Sequence, residues 1–387
     1  MTHLTLANGN VRLAASVDGP MDAVPILLLH GASVSRDTWD ETKQQLMDRY
    51  CVWTLDFRGH GHSDRAPNYN LAGYVSDAET ALAAIGRPAI VVGHSLGACV
   101  AGVLSQTNPN VRAVFLEDPP WFLGRPEEWG RSVFSKLFSI LLLRLTKWQQ
   151  EPPPFTTYVE FLSNGPDRLG GVAQDHISAR HLLSHASAIQ RVDPRCLSND
   201  SLKETLSSIS TERPFLCPAK LVRGEERFGA AFWDEHAGSL LAINPHLEIV
   251  QYKQCGHHPH RMPGFEQRFF YDLENFIARP ERRERGGSAS RSKRRRPEVY
   301  SNDIADAMEA DLQPLATSGL VTRISKYDTN PANRPQSAHC PASGATHPRE
   351  RAECPLLARN GQYTTRSACP LLGAKRKTCA RMELFRF

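Results

Sequence analysis

Short apolar runs recur between turn residues along the first 250 positions, at 11–16, 26–29, 52–55, 89–92, 111–116, 221–222 and 247–250. Most of the gaps between them carry apolar residues at helical spacing, most clearly at 74–85 and 96–105. Strands that alternate with helices predict an α/β body with a mostly parallel sheet of about eight strands and helices on both faces. Runs this apolar belong to buried strands, because a strand covered on both faces has no solvent side.

The rhythm breaks at 119–214, which holds helix-like apolar segments, no convincing strand, and a breaker at Pro152, Pro153 and Pro154. This stretch is expected to be a helical cap inserted after the sixth strand, between core segments 1–118 and 215–280. An amphipathic helix carrying Phe265, Phe269, Phe270, Leu273, Phe276 and Ile277 on one face should close the core before Pro280. From 281 to 387 the composition shifts to Arg, Ser, Gly and Pro, which cannot repay the entropy of ordering and predicts a disordered tail. Its basic run at 292–297, SKRRRP, reads either as a nuclear-import or anionic-surface patch or as a solvated stretch. The echo between Cys354-Pro-Leu-Leu and Cys369-Pro-Leu-Leu is too short for a repeat, and a misread gene end would look similar.

Charge narrows the choice of partners. The chain of 387 residues carries a net +5, yet residues 281–387 hold 20 basic and 11 acidic residues, which leaves residues 1–280 at −4. An acidic body is not a phosphate-tracking surface, so a nucleic-acid partner is not expected unless the tail meets it. A small-molecule substrate is the expected partner. The longest apolar run, 137–143, lies between Lys136 and Arg144, far short of the roughly 20 residues a membrane span requires. The first twenty residues, with Asn8, Asn10, Arg12 and Asp18, lack the pattern of a secretory leader. Nine cysteines without short paired spacings suit a reducing compartment, so a cytoplasmic location is expected, with nuclear entry through the tail left open. The gaps among Cys340, Cys354, Cys369 and Cys379 are too long for zinc half-sites.

The chemistry is concentrated at Gly93-His94-Ser95-Leu96-Gly97, which follows the strand at 89–92 and opens a helix. A serine on a sharp strand-to-helix turn sits in a strained backbone conformation, and glycines two residues to either side keep neighbouring chains from colliding. Further motifs follow the same order: Leu29-His30-Gly31-Ala32-Ser33 after the strand at 26–29, the stretch from Asp56 to Asp64 (DFRGHGHSD), and Gln254-Cys255-Gly256-His257 after the last strand. With these residues the chain resembles the α/β-hydrolase superfamily from its N-terminus to about Ala278. The resemblance implies that Ser95 is a nucleophile, that the backbone N–H groups of Ala32 and Leu96 form an oxyanion hole, and that the DxRGxGxS stretch is mainly architectural. His60, His62 and His94 then read as loop residues and not metal ligands, and Cys99, one turn after Ser95, as a small packed residue.

A serine hydroxyl is inert at neutral pH until a neighbouring imidazole takes its proton. His257 follows a glycine just before the closing helix, as the superfamily's late GH motif does, and is assigned as general base, with His258 and His260 as competitors. A three-histidine metal site there is not expected, because no local carboxylate completes it. The orienting acid departs from the family pattern. Its usual slot, three residues past Gly224, is Arg227. Glu226 stands beside that slot, while Glu117 and Asp118 follow the strand after the elbow helix, where some superfamily members take their acid. Asp118 is the assignment, with Glu117 and Glu226 as alternatives.

The expected activity is that of a serine hydrolase cleaving an ester or thioester of a small to medium hydrophobic substrate through an acyl-enzyme, with no cofactor and no metal. The resemblance also admits thioesterases, carbon–carbon bond hydrolases, perhydrolases and acyl transferases, including in secondary metabolism. Epoxide hydrolases and haloalkane dehalogenases require a carboxylate at the elbow, and Ser95 argues against both. The other class of reading is a small-molecule receptor or degenerate hydrolase with little turnover. Cap aromatics such as Trp121, Phe122, Trp129, Phe134, Phe138, Trp148, Phe155, Tyr158 and Phe161 suggest apolar bulk in the substrate, although at least half of them are expected to serve as packing.

Overall fold

A computed structural model of the chain describes residues 1–168 and 170–278. The stretch expected to be a disordered tail, with its basic run at 292–297 and its four cysteines, lies outside the described residues. Eight strands, β1 (Thr2–Asn8), β2 (Val11–Asp18), β3 (Pro25–Leu29), β4 (Cys51–Leu55), β5 (Ala89–His94), β6 (Val111–Glu117), β7 (Ala219–Arg223) and β8 (Glu248–Gln251), form one sheet in the order β1-β2-β4-β3-β5-β6-β7-β8. β1 pairs antiparallel with β2, and β2 with β4, while every other pairing is parallel. All residues of β3, β4 and β5 are buried, as their unbroken apolar runs require. β1 has no such run. Its residues alternate between exposed and half-buried, and its pairing from Thr2↔Val17 to Asn8↔Val11 holds it at the sheet edge.

Helices cover the sheet: α1 (Asp40–Leu46), α2 (Leu71–Ile85), α3 (Leu96–Thr107), then α4 (Pro126–Arg131), α5 (Val133–Gln150), α6 (Phe155–Ser163), α7 (Ala173–His176), α8 (Ala179–Arg191) and α9 (Asn199–Ser207) between β6 and β7, and finally α10 (Asp234–Ile243) and α11 (Glu266–Ile277). Local chemistry sets the ends of α2: Asn70 accepts from the N–H of Gly73 at 2.9 Å, and Gly86 stops the helix at φ 70°. On α11, Phe269, Leu273 and Phe276 enter the core cluster with Ile26, Leu28 and Val52, while Phe265, Phe270 and Ile277 pack at its margin. Each fully buried side chain of this size contributes about 1.5–3 kcal/mol, enough to dock a helix with little other attachment. Among the described residues, no helix is long and apolar enough to cross a membrane.

The helices between β6 and β7 are tied to the body at several points. Tyr69 donates its hydroxyl to Asp193 at 2.8 Å, and the N–H of Asp193 donates to the Gly59 carbonyl at 2.8 Å. Gln106 on α3 donates to the carbonyls of Ser210 and Arg213 at 3.2 and 2.7 Å.

Two backbones meet closely where β5 turns into α3. A Cβ on Gly93 would stand 2.2 Å from the Gly97 carbonyl oxygen, and one on Gly97 would stand 2.3 Å from the Leu29 carbonyl oxygen. Neither neighbour is a side chain that could move aside. Gly97→Ala should therefore lower the unfolding free energy by about 2–4 kcal/mol in urea titration. Gly130→Ala, on exposed α4 with no heavy atom within 4 Å of the new Cβ, should raise it by about 0.5–1 kcal/mol. Equal effects at the two positions would refute this account of the elbow.

Candidate active site

The turn between β5 and α3 puts Ser95 at φ 52° and ψ −116°, a backbone region that side chains with a Cβ rarely occupy. The surrounding ladder holds it there. The N–H of Ser95 donates to the Glu117 carbonyl at 2.9 Å, and its own carbonyl accepts from Cys99 N at 3.0 Å. Cys99 is fully buried, and burial raises its thiol well above the ordinary range, as expected of a packed residue.

His30 organises the neighbouring turn. Its Nε2 accepts the N–H of Phe57 at 3.0 Å, so its proton sits on Nδ1, which donates to the Gly31 carbonyl at 2.7 Å. Burial keeps this ring neutral, at about 4. Because C=O and N–H point in opposite directions across a trans peptide, fixing the Gly31 carbonyl also fixes the direction of the Ala32 N–H. Ala32, Ser95 and Leu96 line one small cavity together, and the N–H of Leu96 belongs to the first turn of α3, where no intrahelical partner exists.

The DxRGxGxS stretch is held from within. Asp56 is fully buried and accepts the N–H groups of Arg36 at 2.8 Å and His62 at 3.0 Å, while Ser63 donates to the Asp56 carbonyl at 2.6 Å. His60 is buried, donates Nδ1–H to the Arg58 carbonyl at 3.0 Å and is pushed down to about 3 by burial; His62 is exposed.

Two adjacent carboxylates leave the end of β6 for different histidines. Asp118, at φ 43°, is fully buried; its Oδ2 accepts Nδ1–H of His257 at 2.5 Å and the N–H of Ala231 at 2.7 Å, and its Oδ1 accepts the N–H of Phe232 at 3.2 Å. Glu117 instead accepts the main-chain N–H of His260 at 2.8 Å and faces His260 Nδ1 at 2.9 Å. Burial raises the Glu117 carboxyl well above its ordinary range and lowers His260 well below its own. His260 also stacks on Trp39 at 4.3 Å and reaches Thr38 Oγ1 at 3.0 Å. Its surroundings are those of a packed residue, and Glu117 serves that pair, not His257. Glu226 has 53% of its side chain exposed and faces Arg131 at 3.8 Å, remote from His257 in its contacts. Arg227, in the expected acid slot, turns to Glu225.

Ser95 and His257 line one cavity of about 150 Å³, comparable to a space that holds a single benzene ring. Among the described residues no hydrogen bond joins Ser95 Oγ to His257. This contact is often long in unliganded enzymes and tightens with substrate. Of the nine cap aromatics, Phe134 and Phe138 line the cavity, and Trp129 reaches only the smaller one. Trp121, Phe122, Trp148 and Tyr158 are buried packing. Leu137, Leu141, Asp167, Ile177, His185 and Arg261 also line it without having carried a motif in the sequence.

His94, His257 and His258 bring ligand atoms within 4.8 Å of one another. Yet Nδ1 of His257 is committed to Asp118, and Arg261 Nη2 donates to His258 Nε2 at 3.1 Å. A metal cation would meet the guanidinium charge at this site, so the donor set does not suit one.

Burial lowers His30, His60, His94, His181 and His260 below the ordinary 6.5 and keeps them neutral. The unfolded chain protonates them below 6.5, so their contribution is present above that value and is lost as pH falls. Glu117 runs the other way: its contribution is complete below 4.5 and is lost as pH rises. Each group weighs up to about 1.4 kcal/mol per pH unit in its window, so two histidines already outweigh the single glutamate. Unfolding free energy measured by urea titration should fall steadily from pH 7 to pH 5; a flat or rising profile would contradict the neutral histidine cluster.

Comparison with known proteins agrees with this fold. The family model described as "Alpha/beta hydrolase family" matches residues 26–266. A "Serine hydrolase-like protein" of Danio rerio is 33% identical over 116 residues, which is 29% of this chain and 36% of that protein. A "Pimeloyl-[acyl-carrier protein] methyl ester esterase" of Methylococcus capsulatus is 34% identical over 103 residues, 26% of this chain and 39% of that protein. The chain thus spans little more than a third of the length of either relative. The crystal structure of a hydrolase from Pseudomonas aeruginosa superposes with a TM-score of 0.54 at 19% identity, covering 72% of this chain and 98% of that one, which is a likeness of fold. With its eight-stranded sheet, strained serine turn and matching family model, the chain belongs to the α/β-hydrolase family.

Proposed function

We propose that the chain is a serine hydrolase that cleaves carboxylic esters or thioesters of small acyl groups through an acyl-enzyme. The observation that carries this reading is the serine on its strained turn sharing a cavity with a histidine whose Nδ1–H is held by Asp118 at 2.5 Å. With its proton fixed on Nδ1, His257 offers the Nε2 lone pair as a base. Ser95 Oγ attacks the carbonyl carbon as its proton passes to Nε2. The Ala32 and Leu96 N–H groups stabilise the oxyanion. The tetrahedral centre collapses, the protonated imidazole gives its proton to the leaving alkoxide or thiolate, and an acyl-Ser95 ester remains. Water then repeats the sequence, releasing the acid and restoring Ser95.

Asp118 is the orienting acid in this scheme, and Glu117 holds the adjacent His260. The small cavity limits the acyl group, and the Phe134 and Phe138 side chains favour an apolar one.

The test is labelling with a fluorophosphonate probe, together with turnover of short p-nitrophenyl esters, in wild type and variants. Ser95→Ala should abolish both signals. Asp118→Asn should lower kcat by about 10⁴-fold, because the imidazole loses its tautomer and orientation. Glu117→Gln keeps the shape of a side chain that contacts His260 and not His257, and should cost less than about tenfold in kcat, consistent with an effect outside the reacting groups. A Glu117→Gln loss as large as that of Asp118→Asn would transfer the acid role. Folded wild type with neither labelling nor turnover would remove the hydrolase reading.

A further inference from the structure

One charged side chain in the cavity wall has no part in the chemistry described above. Arg261 lines the cavity yet is only 4% exposed. Its Nη2 donates to His258 Nε2 at 3.1 Å, and its buried Nε has no partner. Among the described residues no carboxylate forms an ion pair with it, and Asp167, the one carboxylate in the same cavity wall, has interactions of its own. Glu117, the acid whose field it feels, directs its oxygens to His260 and is raised by burial. The surrounding histidines, His181, His185, His258 and His260, are all lowered by burial first and by the Arg261 charge next. The guanidinium itself, brought down to about 10 by burial, keeps its charge at neutral pH.

A buried cation is costly unless a counter-charge compensates it. No described carboxylate meets this one at contact distance, and the charge faces the cavity that contains Ser95. A guanidinium presents a planar fork that matches a carboxylate, and one guanidinium among neutral imidazoles balances one negative charge, not the two of a phosphate monoester. Resting on the hydrolase reading, we propose that Arg261 anchors a carboxylate of the substrate, so that the preferred ester or thioester is one whose small apolar acyl chain ends in a carboxylate.

The experiment compares mono-p-nitrophenyl esters of straight-chain diacids, glutarate to suberate, with p-nitrophenyl esters of monoacids of equal chain length. Turnover is measured on wild type, with subtraction of spontaneous hydrolysis, and binding on Ser95→Ala by calorimetry. At the best-fitting length kcat/KM should favour the carboxylated ester by at least about tenfold, and Ser95→Ala should bind it at least about tenfold more tightly. Arg261→Gln should bring both ratios close to one, and Arg261→Lys, which keeps the charge without the fork, should retain an intermediate ratio. Preferential binding by Ser95→Ala without turnover in wild type would uphold Arg261 and remove the hydrolase reading. Equal or weaker binding of the carboxylated ester at every length would overturn the proposal, whatever the turnover, and needs no Arg261 variant to be folded.

Discussion

The buried carboxylate of Asp118 ties together the ends of three strands. It leaves β6, accepts two backbone N–H groups from the loop after β7, and accepts Nδ1–H of His257 from the loop after β8. Three donors on one carboxylate satisfy a charge that would otherwise be costly to bury, and they fix the loops relative to the sheet. The position of His257, and with it the shape of the cavity, depends on that arrangement. The family's usual acid slot has not been left idle. Arg227 occupies it, turned to Glu225, while the same loop contributes the Ala231 and Phe232 N–H groups that hold the relocated carboxylate.

The second constraint is steric. β3, β5 and α3 approach so closely that Gly93 and Gly97 meet backbone oxygens at distances no Cβ could tolerate, and Ser95 is held between them at positive φ. Strain of this kind persists only where neighbours over-determine the conformation. Here the Ser95 N–H to Glu117 and the Cys99 N–H to Ser95 do so. A second acid–histidine pair, Glu117 with His260, is buried with the His260 ring stacked on Trp39, so two carboxylates adjacent in sequence serve different ends. One holds His257 at the cavity and the other belongs to the packing that supports it.

The polar wall of the cavity combines several imidazoles with the Asp167 carboxylate and one buried guanidinium. Burial is the first cause of each neutral ring, and the guanidinium adds to it. Apolar side chains of α5, among them Phe134 and Phe138, and polar ones from the loop before α11 line the same cavity, with Phe134 packed on His257 at 4.7 Å.

What the sequence by itself determined follows from local rules. Apolar runs between turn residues identified β2 to β8, the glycine spacing around Ser95 identified the elbow, and the aromatic face of α11 identified the closing helix, because each signal is carried by residues close together in the chain. β1 was not legible, since an edge strand with alternating exposure carries only Leu4 and Leu6 as apolar markers. Asp118 was preferred to Glu117 and Glu226, and His257 to His258 and His260, through the family resemblance, because the residues alone leave those competitors in place. Those distinctions depend on which loops meet beyond the ends of β6, β7 and β8, and no local pattern encodes such a meeting. Arg261 was invisible for the same reason: in sequence it is one arginine near a histidine cluster, and only tertiary packing buries it without a counter-charge in the wall of the cavity.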